Sequence, residues 1–121
     1  MIRIGTDIVE VNRLRELIAK YDLKFLKRIF SNQEIEYCSS HKDPAVHFAG
    51  RFSAKEAIKK AISLTTNISS IPYSSISIKN DSTGRPYVED SFSLSNNIDI
   101  SISHTQNHAI SFAILSNDQS A

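Results

Sequence analysis

At 121 residues with 40% apolar content, the chain is long enough for one domain with a true core and too short for two ordinary ones, so residues 1–121 read as a single domain. Fourteen Lys and Arg against thirteen Asp and Glu leave a net charge of +1; without the basic excess of a nucleic-acid binder, any electrostatic partner must meet a local patch. The lone cysteine, Cys38, rules out an intramolecular disulfide, no apolar run approaches membrane-spanning length, and the start Met1-Ile2-Arg3-Ile4-Gly5 lacks the apolar stretch of a secretory signal, which together predict a cytoplasmic protein with no membrane partner.

Ile2, Ile4, Thr6 and Ile8 alternate with Arg3, Gly5, Asp7 and Val9, the period of a strand with one apolar face and with Asp7 on the other. From Asn12, a candidate N-cap, Val11, Leu14, Leu17 and Ile18 take up helical spacing, and a second short helix is expected from Lys24 to Phe30. Ser31-Asn32-Gln33-Glu34 has the form of a capping box opening a helix to about Ser40. Asp43-Pro44 then pairs an N-cap with proline at the first helical position of a long helix to about Leu64, with Thr65 to Pro72 as its connection.

The second half changes character. Ser74 to Lys79 alternates around Ile76 and Ile78, and Asp81-Ser82-Thr83-Gly84-Arg85-Pro86 supplies turn chemistry before Tyr87-Val88, which predicts a hairpin. Ile98, Ile100 and Ile102 alternate with polar residues, and Ala109 to Leu115 follows a break near Gln106-Asn107, so these two strands should pair antiparallel. The expected class is α+β, with an antiparallel sheet packed against helices that include one long central helix.

Chemistry concentrates on that helix. Ala54, Ala57, Ile58 and Ala61 fall on one side and Phe52, Glu56 and Lys60 on the other, an aromatic among charges that ought to touch a ligand or a second subunit. The plainer alternative is an exposed Glu56-Lys60 pair worth about 0.3–0.5 kcal/mol to the helix. Asp7 and Glu56 would together suit Mg²⁺, which takes one or two carboxylates with phosphate oxygens, and Arg51, Lys55, Lys59 and Lys60 supply cations for a polyphosphate. His104, in Ser101-Ile102-Ser103-His104-Thr105, closes a strand in a cluster of hydroxyl and imidazole donors. No G-x-S-x-G elbow is present, which removes the serine-hydrolase reading. His104 and His108 would align for zinc only on a helix, but their flanks read as strands and thiol partners are missing. His41 and His47 read as surface or capping histidines, and Cys38 as a small core residue. Arg13, Lys20, Lys24, Lys27 and Arg28 form a basic stretch that could receive an acidic protein, although judged alone it reads first as a solvated helix face.

Ile4-Gly5-Thr6-Asp7-Ile8-Val9-Glu10, Phe48 through Ala57 with Lys60-Ala61, Gly84-Arg85-Pro86 and Ser101 through Thr105 in this order and spacing resemble the holo-acyl-carrier-protein synthases, the small bacterial 4′-phosphopantetheinyl transferases. The resemblance runs almost the whole length. It implies transfer of the phosphopantetheine arm of coenzyme A to a serine of apo-acyl carrier protein, releasing adenosine 3′,5′-bisphosphate in support of fatty acid biosynthesis. It assigns Mg²⁺ to Asp7 and Glu56, proton acceptance to Glu56 or a metal-bound water beside it, and support of the departing phosphate to Lys60. Coenzyme A would meet Arg51, Phe52, Lys60, Gly84, Pro86, His104 and Thr105, and the carrier protein Arg13, Lys20, Lys24 and Arg28. A homotrimer with active sites between subunits is implied as well. The chain departs from many relatives in Ser63-Leu64-Thr65-Thr66-Asn67-Ile68, which lacks glycine; Asn67 is the residue there that best tolerates a left-handed backbone. A non-catalytic coenzyme A-binding module and a purely oligomerising domain are the competing readings. Joint presence of Asp7, Glu56 and Lys60 argues against the first.

Overall fold

The structure, a computed structural model, describes residues 2–63, 71–89 and 97–116. Strand β1 (Ile2–Glu10) leads into α1 (Val11–Ile29), α2 (Asn32–Ser39) and α3 (Pro44–Ser63); after a 3₁₀ turn at Tyr73–Ser75 come β2 (Ser77–Asn80), β3 (Pro86–Glu89), β4 (Ile98–His104) and β5 (His108–Ser116). β5 pairs antiparallel with both β1 and β4 to give a sheet of order β1-β5-β4, and β2 and β3 form a separate hairpin. The α+β class, the antiparallel sheet and the long helix are as the sequence predicts. Leu64 to Ile68 of the glycine-free segment, and most of the expected connection after it, lie outside the described residues.

α3 is the spine, with buried side chains on most of its circumference. Its carboxyl-terminal half joins Ile76, Ile78, Val88, Ile100 and Ala113 in one core cluster. Its amino-terminal half, through Phe48 and Ala49, joins Val11, Leu14, Leu26, Phe30 and Cys38 in another. Small residues set the separation of helix and sheet. A Cβ on Gly5 would overlap the carbonyl oxygen of Ala57 and come within 2.9 Å of Ala61 N, so β1 lies directly on the α3 backbone, where only glycine fits.

That contact corrects the expected orientation of β1. Ile2, Ile4 and Ile8 are exposed, at 66, 55 and 63%, whereas Gly5 and Val9 are buried. Asp7 therefore shares the inward face and does not stand opposite a core. Register places Ile4 beside Ile114, Thr6 beside Phe112 and Ile8 beside Ile110, with Phe112 and Ile110 also exposed, so the sheet presents an apolar outer face. Alternation marks two faces of a strand but does not say which one the helix covers.

Local signals are reproduced with small shifts. Ser31 Oγ accepts from Glu34 N at 3.2 Å and Glu34 Oε1 accepts from Ser31 N at 2.8 Å, the predicted capping box. α1 starts at Val11, with Glu10 at the N-cap position and no side-chain cap, so Asn12 lies inside the helix. The two helical pieces expected before Phe30 are joined at Asp22, whose φ of 53° and ψ of −135° kink the element. Arg15 grips Asp43 with both Nη atoms, at 2.8 and 3.2 Å, tying α1 to the start of α3.

Candidate active site

β1 and α3 cross so that their polar side chains meet along one seam. Ser53 Oγ donates to the Asp7 carbonyl at 3.0 Å, and seven residues on Lys60 Nζ donates to Asp7 Oδ1 and to the Thr6 carbonyl, both at 3.1 Å. Glu56 lies between Ser53 and Lys60 on the same helix, so the two carboxylates stand side by side on adjoining elements. Asp7 is only 15% exposed in its side chain and Lys60 is 55% exposed, giving a fixed acid and a cation free to swing toward solvent. The predicted stripe of Phe52, Glu56 and Lys60 opposite Ala54, Ala57, Ile58 and Ala61 is present, the second set being fully buried.

Tyr73, which sequence reasoning passed over, closes the other side of the seam. Its hydroxyl donates to Glu56 Oε1. Its ring lies 5.7 Å from the Phe52 ring and 4.0 Å beneath Lys59 Nζ. Burial first, then the bond to Glu56 and the charges of Glu56 and Asp7, push the phenol up to about 12, so it remains a donor. Its preceding Pro72 and the irregular backbone around it carry no periodic signal that would have flagged it.

A divalent cation fits this donor set. Asp7 and Glu56 each have one oxygen engaged by a donor from this chain, and neither Asp7 Oδ2 nor Glu56 Oε2 has a partner among the described residues. No group of three or more His, Cys, Asp or Glu is arranged around a common point among the described residues. Two carboxylates completed by ligand oxygens and water match Mg²⁺ better than a protein-saturated zinc site.

One turn earlier on α3, a cleft of about 210 Å³ is lined by Tyr37, His47, Arg51, Asn80, Gly84, Pro86 and His104 among others. The structure thus brings together Arg51, Gly84, Pro86 and His104 of the predicted ligand-binding set, and places Phe52 and Lys60 at the carboxylate seam instead. Arg51 is 6% exposed; its guanidinium lies over the Tyr37 ring at 4.3 Å and donates through Nη2 to Asn80. Its Nε is buried without a partner, and it makes no ion pair among the described residues. A buried, permanently charged group with an orphan donor calls for an anion. Asn80 Nδ2 donates to the Gly84 carbonyl at 2.9 Å, and Gly84 holds φ +88°, the left-handed turn for which glycine is suited. Thr105 Oγ1 accepts from the amides of Asn107 and His108, so its oxygen shapes the β4–β5 turn.

His47 belongs to this cleft and not to the bare surface. Its ring stacks on His41 at 3.7 Å and meets His104 edge-on at 5.8 Å. Burial, then the neighbouring His41, His104 and Arg51, hold its pKa below the ordinary value. The signal available in sequence was its spacing of four from Arg51. His41 has the capping role expected of it, its Nδ1 lying 2.8 Å from the Tyr37 carbonyl. Cys38 is a core residue, its thiol pushed up to about 12 chiefly by burial.

Lys55 is corrected outright. It is fully buried against Glu34 at 2.6 Å and bonds the carbonyls of Ile29 and Tyr73, which leaves it unavailable to a phosphate. Lys59 donates to the Ile71 carbonyl at 2.9 Å. The basic stretch on α1 divides: Lys24 and Arg28 border a depression with Tyr21 and Phe25, while Arg13 borders another with Glu10 and His108. Lys20 lies against Tyr21 at 5.2 Å.

Residues 3–113 match the sequence profile of the 4′-phosphopantetheinyl transferase superfamily. A holo-[acyl-carrier-protein] synthase of Protochlamydia amoebophila is 43% identical over 118 residues, covering 93% of this chain and 96% of the relative. One from Chlorobium limicola is 44% identical over 120 residues, covering 95% and 94%. Among solved structures, Helicobacter pylori holo-[acyl-carrier-protein] synthase in complex with coenzyme A superposes with a TM-score of 0.79 at 30% identity, covering 93% of this chain and 99% of that one. The chain belongs to the holo-acyl-carrier-protein synthases, a group of 4′-phosphopantetheinyl transferase enzymes.

Proposed function

We propose that this protein, as one domain over residues 1–121, moves the 4′-phosphopantetheine arm of coenzyme A onto a serine hydroxyl of apo-acyl carrier protein and releases adenosine 3′,5′-bisphosphate. The observation that carries the reading is the seam itself: β1 supplies Asp7 and α3 supplies Glu56 and Lys60 to a single place beside an anion-seeking cleft.

Asp7 and Glu56 would hold Mg²⁺. When bound, the cation neutralises charge on the pyrophosphate as the phosphoanhydride breaks. Lys60, mobile and positively charged, stands where it can leave Asp7 and follow the departing phosphate. Glu56, or a metal-bound water beside it, would take the serine proton. Arg51, with its orphan Nε, and His104 suit the nucleotide phosphates, and the Gly84-to-Pro86 loop closes that side of the cleft with Asn80. The coenzyme A complex of the Helicobacter pylori relative supports the choice of ligand.

The exposed isoleucines of β1 with Ile110 and Phe112 of β5 form an apolar face open to further copies of this chain, in keeping with a homotrimer whose sites lie between subunits. No described helix is long and apolar enough to cross a membrane, in keeping with a cytoplasmic role in fatty acid biosynthesis. Arg13, Lys20, Lys24 and Arg28 are the cations offered to the acidic carrier.

Intact-mass analysis of apo-acyl carrier protein incubated with this protein, coenzyme A and Mg²⁺ tests the proposal. The carrier should gain one phosphopantetheine, and a chelator should abolish the gain. Coenzyme A binding without any gain would instead favour a non-catalytic module.

A further inference from the structure

Glu56 is asked to hold a cation from the end of a flexible side chain, and its own helix does nothing to orient its carboxylate. Tyr73 does. The tyrosine is clamped at several points: its carbonyl accepts from Lys55 Nζ at 2.9 Å and from Ile76 N at 3.1 Å. Its ring meets both Phe52 and Lys59, and the 3₁₀ turn it opens is closed by Ser75 on the Pro72 carbonyl. Lys55 is itself immovable, buried in an ion pair with Glu34, which also accepts from the amides of Ser31 and Ile78. A continuous chain of fixed groups therefore runs from the centre of the protein to the phenolic hydroxyl, and that hydroxyl ends on Glu56 Oε1.

We propose that Tyr73 is a positioning residue for Glu56, holding Oε1 by its hydroxyl so that Oε2 is presented to the cation. This rests on the reading of Glu56 as a Mg²⁺ ligand. A partner that hydrogen-bonds a metal-ligating carboxylate fixes its rotamer before the metal arrives, and loss of such a partner typically weakens metal affinity or activity about 10- to 100-fold. Phe52 has a share in this role through the tyrosine ring, which accounts for an aromatic residue beside Glu56 on a polar stripe.

Tyr73→Phe keeps the ring, the Phe52 and Lys59 contacts and the backbone bonds, and removes the hydroxyl alone. Coenzyme A affinity should be measured by calorimetry over a range of Mg²⁺ concentrations, for wild type, Tyr73→Phe, Glu56→Gln and the double variant, without carrier protein. The expected result is a wild-type thermal midpoint for Tyr73→Phe, an unchanged coenzyme A affinity in chelator, and a Mg²⁺ requirement raised about tenfold or more. Adding Tyr73→Phe to Glu56→Gln should change nothing further, because the hydroxyl acts only through that carboxylate. A wild-type or lower Mg²⁺ requirement in Tyr73→Phe, with Glu56→Gln defective, would overturn the positioning role alone. A Glu56→Gln variant with wild-type Mg²⁺ dependence would overturn both that role and the reading beneath it.

Discussion

Lys55 Nζ lies 2.6 Å from Glu34 Oε1, with both side chains fully withdrawn from water. The ammonium has three protein acceptors and the carboxylate three protein donors, drawn from α1, α2, α3, β2 and the 3₁₀ turn, so every ammonium proton and both carboxylate oxygens are bonded despite their desolvation. Removing one partner leaves the other charged and buried. Lys55→Met should destabilise the protein by about 3–5 kcal/mol, read as a lower urea midpoint, and should impair Mg²⁺ use by releasing the Tyr73 carbonyl. A loss within the range of a surface substitution would show that the pair is dispensable.

Gly5→Ala should be among the most damaging single-methyl additions available. The new Cβ meets backbone of α3, not a side chain that can rotate away, so relief requires moving a strand from a helix, at a cost of about 1–3 kcal/mol or more. Thermal unfolding of the variant checks this. A midpoint equal to wild type would mean that β1 and α3 separate easily.

Asp22 occupies a left-handed φ of 53° at the kink of α1, a conformation that costs a non-glycine residue roughly 1–3 kcal/mol. Asp22→Gly relieves that strain while adding freedom to the unfolded chain, for a net gain of about 1 kcal/mol. Chemical denaturation would detect the gain, and a loss of stability would reveal a native contact made by the Asp22 side chain.

The depressed pKa of His47 couples folding to acid. Between its lowered folded value and the unfolded value near 6.5, the unfolded chain binds more protons, so stability rises with pH across that window and the His47 contribution is flat above it. Unfolding measured at pH 5 and pH 7 should show a smaller pH-dependent gain in His47→Gln than in wild type. Equal gains in both proteins would assign the effect to other histidines.

Carrier recognition should respond to Arg13→Glu with a raised KM for apo-acyl carrier protein that depends on salt, while coenzyme A affinity is unchanged. Because Arg13 and the Lys24–Arg28 pair border different depressions, the same comparison with Lys24→Glu locates the docking surface. If neither charge reversal alters KM at low salt, the α1 cations are not the carrier site.

What could be read from the sequence divides by distance along the chain. The capping box was legible because Ser31 and Glu34 are three residues apart, and the alanine face of α3 because helical period repeats within a few turns. The second employment of Glu34, as counter-ion to Lys55 and acceptor for Ile78, depends on partners 21 and 44 residues away and left no local trace. For the same reason Lys55 looked like one more phosphate-seeking cation. Alternation sets the isoleucines of β1 on one face but leaves open which face is covered, since coverage is decided by where α3 lands. Asp7, Glu56 and Lys60 could be singled out by residue type and by the polar stripe of α3, and the resemblance of their motifs to a family joined them into one expected site. Tyr73 enters the candidate site through tertiary placement alone, and His47 offered no more than its spacing of four from Arg51.

The contact of Gly5 with the α3 main chain separates two kinds of precision in this molecule. Asp7 follows Gly5 by two residues, and its own carbonyl is tied to the Ser53 hydroxyl, so the placement of the β1 carboxylate on α3 is set by a main-chain contact and one short side chain. The carboxylate of Glu56, by contrast, is held through side chains, by the Tyr73 hydroxyl and the buried Lys55 behind it. Descendants of this sequence are therefore held at position 5 by main-chain contact and at positions 55 and 73 by side-chain chemistry, so that substitutions there disturb the fold and the candidate site together.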